Sequence, residues 1–121
     1  MNTAQDLATR YAAVWNETDA AARRAAVAGL WRPDGVHFVE AREARGYAAL
    51  EQRIIGSYEK NIRDKGNRFR VRADARRLRD VVIFTWEMVP ADADTVRATG
   101  LEVLVLDDED RIITDYQFIL A

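Results

Sequence analysis

Two carboxylates and an amide, Glu102, Asp115 and Gln117, sit among apolar neighbours in two strand-like runs, Gly100 to Leu106 and Arg111 to Leu120. A carboxylate inside an otherwise buried strand costs on the order of several kcal/mol unless it is paired, hydrated or neutralised, so such groups line a core network or a cavity. If both acids face inward they occupy adjacent strands and can share a proton, which drives their apparent pKa values apart. Loss of water also raises the pKa of a carboxyl in an apolar pocket towards useful acid/base behaviour near neutrality. The competing reading for Glu102 is a buried ion pair with an arginine such as Arg97. His37, the single histidine, has the only side chain whose ordinary pKa lies near neutrality. On a short strand it shares a face with Val39, and it either enters the mouth of a cavity or packs as a hydrogen-bonded structural histidine under the third helix. Trp15, Trp31 and Trp86 suit an aromatic wall for a flat ligand or plain core packing. The hydroxyls of Tyr11 and Tyr58 need a partner wherever they reach the interior.

Composition narrows what these groups serve. At 121 residues the chain suits one domain, 1–121, with a single core. No apolar run approaches the roughly 20 residues of a membrane helix, and MNTAQDLATRY lacks the basic and apolar regions of an export signal, so a cytoplasmic location without membrane contact is expected. Zero cysteines exclude disulfides, thiolate metal sites and cysteine nucleophiles. With one histidine, a zinc site is not expected, and neither a metal nor a cofactor is called for. The net charge of -2 argues against a general nucleic-acid binder. Charge is unevenly spread: eight basic and two acidic residues lie between Arg63 and Arg79, and nine acidic and two basic residues between Glu87 and Asp115. The arginine series Arg68, Arg70, Arg72, Arg76, Arg77 and Arg79 reads as a solvated strand face rather than a phosphate-binding one, since the acidic half of the chain would repel nucleic acid. Asp107-Asp108-Glu109-Asp110 lacks EF-hand spacing and reads as a hairpin turn.

The elements that must position these residues follow from periodicity. Leu7, Tyr11, Val14 and Trp15 recur at helical spacing and predict a helix over Thr3–Asn16. Thr18 or Asp19 caps a second helix with Val27, Leu30 and Trp31 on its apolar face, ended by Pro33. A short strand over Val36–Val39 follows. Tyr47, Leu50, Ile54, Tyr58 and Ile62 form the stripe of a third helix, about Tyr47 to Asp64, stopped by Gly66. Alternation of Phe69, Val71, Ala73 and Ala75 with charged residues predicts a strand with one wet face, and Val81–Val89 a central one. Turn-rich Pro90–Asp94 and Asp107–Asp110 separate antiparallel hairpins. The expected fold class is α+β: three N-terminal helices packed on a curved, mainly antiparallel sheet, forming a cone.

Five segments carry a resemblance to a known family: Arg10-Tyr11-Ala12-Ala13-Val14-Trp15-Asn16, Leu30-Trp31-Arg32-Pro33-Asp34-Gly35-Val36, Arg45-Gly46, Phe84-Thr85-Trp86-Glu87 and Asp110-Arg111-Ile112. Together they resemble the nuclear transport factor 2-like superfamily, which includes ketosteroid isomerase and SnoaL-like polyketide cyclases, over essentially the whole chain. The resemblance implies a cystatin-like cone. It sets Tyr11 at the oxyanion-hole tyrosine of the steroid isomerase and Glu102 at its neutral carboxylic acid. The general-base aspartate is expected near the end of the short strand, where Val39 is followed by Glu40, which strand alternation aims at the opposite face unless a bulge re-aims it. The cyclases imply a late-strand acid/base, matched here by Asp115, with His37 or Glu102 assisting.

The resulting expectation is a cavity bounded by Tyr11, Trp15, Trp31, His37, Tyr58, Trp86, Glu102, Asp115 and Gln117. It would hold a small hydrophobic ligand, either as a cofactor-free acid/base enzyme acting on a carbonyl-bearing substrate or as a non-catalytic binding or protein-interaction module. Val103, Val105, Tyr116 and Phe118 would leave the outer sheet face apolar, which predicts a homodimer through that face.

Overall fold

The computed structural model describes residues 3–121. Helix α1 (Ala4–Asn16) is opened by a reciprocal cap in which the Thr3 hydroxyl accepts from the Asp6 N–H and the Asp6 carboxylate accepts from the Thr3 N–H. Helix α2 (Ala20–Leu30) is capped by Asp19, one of the two candidates. Its apolar face is carried by Val27 and Leu30, because Trp31 has left the helix and begins a strand. That strand, β1 (Trp31–Val39), is longer than expected: an irregularity between Trp31 and Val36 takes up Pro33 and lets the chain enter the sheet earlier. It pairs with β2 (Arg42–Arg45) across a tight turn at Glu40.

Gly46, at a φ of 85° that disfavours other residues, caps helix α3 (Tyr47–Ser57). Leu50 and Ile54 are each 1 % exposed, and burial of each contributes about 1.5–3 kcal/mol. The helix continues over Tyr58–Asp64 as a π-helical segment rather than as regular α-helix. Four of the remaining strands form the body of the sheet: β3 (Asn67–Val71), β5 (Val81–Pro90), β6 (Ala98–Leu106) and β7 (Ile112–Ile119). A three-residue strand β4 (Arg76–Leu78) also pairs with β5. The single strand expected over Phe69–Ala75 is thus shorter, and β4 is a separate piece.

The spatial order β2-β1-β7-β6-β5-β3 makes a curved, open, mixed sheet with three helices on its concave side. All pairings are antiparallel except β1 against β7. That parallel pair corrects a purely hairpin-built picture, and it has a functional consequence: it sets His37 opposite Asp115 and Val39 opposite Gln117. Leu7, Tyr11, Trp15, Leu30, Trp31, Leu50, Ile54, Val82, Phe84 and Leu104 form one core between helices and sheet. The arginine-rich strands are solvated and ion-paired, with Arg70 and Arg72 on Glu87 and Arg77 on Asp110. Asp107 closes the β6–β7 turn by accepting from the N–H groups of Glu109 and Arg111. No helix is long and apolar enough to cross a membrane.

Candidate functional site

Strand alternation sends Glu102 and Leu104 of β6, Asp115 and Gln117 of β7, and Phe84 and Trp86 of β5 to the concave face. Helix α1 lays Tyr11 and Trp15, one turn apart, across them. Glu102 and Asp115 are both 0 % exposed. The Tyr11 hydroxyl lies 2.6 Å from Asp115 Oδ2 and 3.1 Å from Glu102 Oε2, and the Trp86 indole N–H donates to Glu102 Oε1 at 2.9 Å. The alternative partner for Glu102, Arg97, is exposed and takes no part.

Tyr11 has one proton for two carboxylates. Burial, and then the negative charge of Asp115, hold its phenol well above the ordinary range, so it keeps that proton. Burial is also the largest cause raising Glu102 well above a usual glutamate, followed by the charge of Asp115. A neutral Glu102 completes the accounting: Tyr11 donates along the shorter contact to Asp115, and the proton on Glu102 fills the longer one. The two acids and the phenol therefore form a single proton-sharing unit.

His37 is 1 % exposed and lies against Trp15 with the ring centroids 5.4 Å apart and the planes tilted by 45°. Its Nε2 lies 3.0 Å from Gln117 Oε1 and 3.8 Å from Asp115 Oδ2. His37, Glu102 and Asp115 bring one ligating atom each to within 4.8 Å of one another. Donors round a tetrahedral ion with bonds of about 2.1 Å stand about 3.4 Å apart. Here both Glu102 oxygens and Asp115 Oδ2 are engaged by Tyr11 and Trp86 and only Asp115 Oδ1 lacks a partner, so the cluster is tied together mainly by hydrogen bonds.

In front of this unit lies a cavity of about 190 Å³. Tyr11, Trp15, Trp86, Glu102 and Gln117 line it, together with Phe69, Met88, Ile119, Arg53, Ser57 and Asn61. Four expected members stand elsewhere. Trp31 is wholly buried behind Tyr11, at 5.6 Å between ring centroids. Tyr58 carries the Arg23 guanidinium over its ring at 4.8 Å, because the π-helical turn re-aims it. Asp115 and His37 lie behind the wall, reaching the cavity only through Tyr11 and Gln117. Arg53, Ser57 and Asn61 were not singled out from sequence. Their signal is weak: Arg53 and Ser57 flank the Leu50–Ile54 stripe, and the π-helical turn that brings Asn61 to Ser57 at 3.2 Å has no sequence signature.

Gly100 is part of this architecture. A Cβ there would stand 2.6 Å from Trp86 Nε1 and closer still to the indole ring. Gly100→Ala is therefore expected to push Trp86 off Glu102, at a cost of about 1–3 kcal/mol from overpacking. Thermal denaturation and tryptophan emission check it; an unchanged melting point and spectrum would contradict the close approach.

No family model and no curated protein matches the chain significantly. Solved structures do. A proposed isomerase of the SnoaL-like family from Agrobacterium tumefaciens strain C58 is similar at a TM-score of 0.89 and 25% identity, over 100% of both chains. A proposed polyketide cyclase from Sinorhizobium meliloti is similar at 0.70 and 13% identity, over 96% of this chain and 99% of that one. A protein of cystatin-like fold from Methylobium petroleophilum PM1 is similar at 0.70 and 18% identity, over 98% and 76%. The chain shares its fold with solved proteins described as nuclear transport factor 2-like. Its neighbours also include SnoaL-like proteins, as the five sequence segments suggested.

Proposed function

We propose that this protein is an acid/base enzyme of the isomerase, cyclase or dehydratase type, acting on a small, largely apolar, carbonyl-bearing molecule. The observation that carries this reading is a neutral-leaning carboxyl, Glu102, on a cavity wall beside a protonated phenol, Tyr11, with a second carboxylate behind them. In its neutral form Glu102 can turn its O–H from Tyr11 to a carbonyl oxygen as negative charge develops on it, while Tyr11 keeps its one proton towards Asp115. Moving the Glu102 proton to Tyr11 while Tyr11 passes its own to Asp115 leaves Glu102 ionised with no net change of charge. The same unit then presents a base to the ligand. Glu102 is thus the group that exchanges protons with substrate, and Asp115 a positioning residue that stores one. The volume falls below the ~300–1,000 Å³ of pockets for drug-sized ligands, which favours a small substrate. The names of two structural neighbours, a proposed isomerase and a proposed polyketide cyclase, agree in chemistry.

The test is deuterium exchange α to the carbonyl of small ketones and keto acids, followed by NMR in D2O. The protein is expected to accelerate exchange of at least one, and Glu102→Gln to lower that rate about 10²–10⁴-fold. Binding without exchange across the panel would favour a non-catalytic ligand-binding module.

We also propose a homodimer through the outer sheet face. Tyr116 and Phe118 are 43% and 52% exposed, and their register neighbours Val103 and Leu101, with Phe38 stacked on Tyr116, extend one apolar patch. Light scattering is expected to give twice 13.8 kDa, and Phe118→Glu to give the monomer; a wild-type monomer at micromolar concentration would end the idea.

A further inference from the structure

Arg53 is a half-buried cation with no direct ion pair, although the acids Glu102 and Asp115 act on it from a distance. Among the described residues it enters no ion pair, and its Nε is buried without a hydrogen-bond partner. It lines the cavity, with its guanidinium 5.2 Å over the ring of Trp15. Trp15 also lines the cavity, and its indole Nε1 is another buried donor without a partner. Buried donors left unmade cost about 1–3 kcal/mol each, and such groups are rare unless something outside the protein completes them. Loss of water, followed by the like charge of Arg42, lowers the pKa of Arg53, so its neighbourhood already disfavours the charge it carries. Arg42 and Lys60, against the single acid Glu40, leave positive charge in excess in an outer depression that shares Arg53, Ser57, Asn61 and Ile119 with the cavity.

We infer that Arg53 is an anion anchor and that the ligand of this cavity is a small carboxylate. Its charged end lies against the Arg53 guanidinium and the Trp15 N–H, its apolar body among Phe69, Trp86 and Met88, and its far end at Tyr11 and Glu102. A planar guanidinium matches the two oxygens of a carboxylate, and stacking on an indole pre-organises it. The placement rests on the acid/base reading only for what happens at Tyr11 and Glu102. There it narrows the substrate class from carbonyl compounds in general to oxo acids or unsaturated acids held by the carboxylate. An anion at one end and a proton-sharing acid pair at the other also give the ligand one orientation.

The probe pair is benzoate and benzamide, equal in shape and different in charge, titrated at pH 7 against tryptophan fluorescence and calorimetry. Benzoate is expected to bind at least about tenfold tighter than benzamide. Arg53→Gln should erase that preference by weakening benzoate at least about tenfold more than benzamide, and Arg53→Lys should keep part of it. Equal affinity for the two probes, or a preference that survives Arg53→Gln, overturns the anchor and leaves the cavity as a site for neutral ligands. Failure of both probes to bind overturns it as well. The proposed chemistry is read separately: exchange of neutral ketones alone supports catalysis without the anchor, and Arg53-dependent benzoate binding without exchange of any ketone or keto acid supports the anchor without catalysis.

Discussion

Glu102→Gln is expected to flatten the loss of stability as pH rises above about 4.3 and to leave the variant more stable than the parent at the alkaline end. Burial, reinforced by the charge of Asp115, raises the folded-state pKa of Glu102 above its unfolded value. The folded state therefore binds the proton more tightly. Below the unfolded pKa, about 4.3, both states are protonated and the stabilisation is complete. As pH rises the unfolded chain ionises first, and stability falls by about 1.4 kcal/mol per pH unit until the folded pKa is passed. Glutamine keeps an acceptor for the Trp86 N–H and a donor towards Tyr11, mimics the neutral acid, and cannot ionise. Glu87, held low chiefly by its hydrogen bond from Arg70, and Asp107, held low chiefly by the Arg111 N–H, act with the opposite sign. Their stabilisation is present above the ordinary carboxylate range and lost as pH falls through it, so it leaves the neutral limb to Glu102. Urea unfolding of parent and variant at several pH values measures the difference. Parallel profiles would show that Glu102 is ionised in the folded protein.

The placement of the two acids was legible in the sequence because strand alternation is a local rule. Given strands at 98–106 and 112–119, the inward set includes Glu102, Asp115 and Gln117. The helix stripe through Leu7, Tyr11, Val14 and Trp15 was legible for the same reason, and all four are buried. The parallel pairing of β1 with β7 was not, because it joins residues about 80 positions apart through no turn. Without it there is no reason for His37 to meet Asp115 and Gln117. Strand β2, Arg42-Glu43-Ala44-Arg45, escaped because three of its four residues are charged and exposed, as suits an edge that must not recruit another strand.

The residues missed at the cavity share a different cause. Arg53 reads as solvent-facing on helical periodicity, since charged residues are ordinarily on the wet face. Its burial depends on Trp15 offering a ring to lie on. Tyr58 shows the converse. Its apolar spacing in the third helix predicted the interior, but the ladder changes to π-helical geometry at Tyr58 itself, and the ring turns to Arg23. Asp115 fits its strand position, yet the side chain of Tyr11 stands between it and the cavity. That ordering depends on how deeply α1 settles, and no periodicity reports depth.

Tyr11→Phe carries the second large effect, and it separates the network from the packing around it. The ring of Tyr11 contacts Trp15, Trp31 and Phe84 at centroid separations of 6.0, 5.6 and 5.4 Å, and phenylalanine preserves those contacts. What is removed is the hydroxyl shared by two carboxylates at 0 % exposure. Asp115 Oδ1 already lacks a partner, so the loss would leave Asp115 without its Tyr11 hydrogen bond at a position with 0 % exposure. Stripping a buried charged acceptor of its donor costs about 3 kcal/mol, which for a domain of this size lowers the melting temperature by roughly 10–15 °C. A double-mutant cycle distinguishes this from a general weakening of the core. Asp115→Asn removes the charge that most needs the donor, so Tyr11→Phe in that background should cost at least about 1 kcal/mol less than in the parent. Additive losses in the cycle would mean that Tyr11 and Asp115 are independent core residues, and the proton relay through the phenol would lose its basis. A coupling of the expected sign, joined to loss of ketone exchange in Tyr11→Phe at temperatures where that variant remains folded, would connect the hydrogen bond to the chemistry.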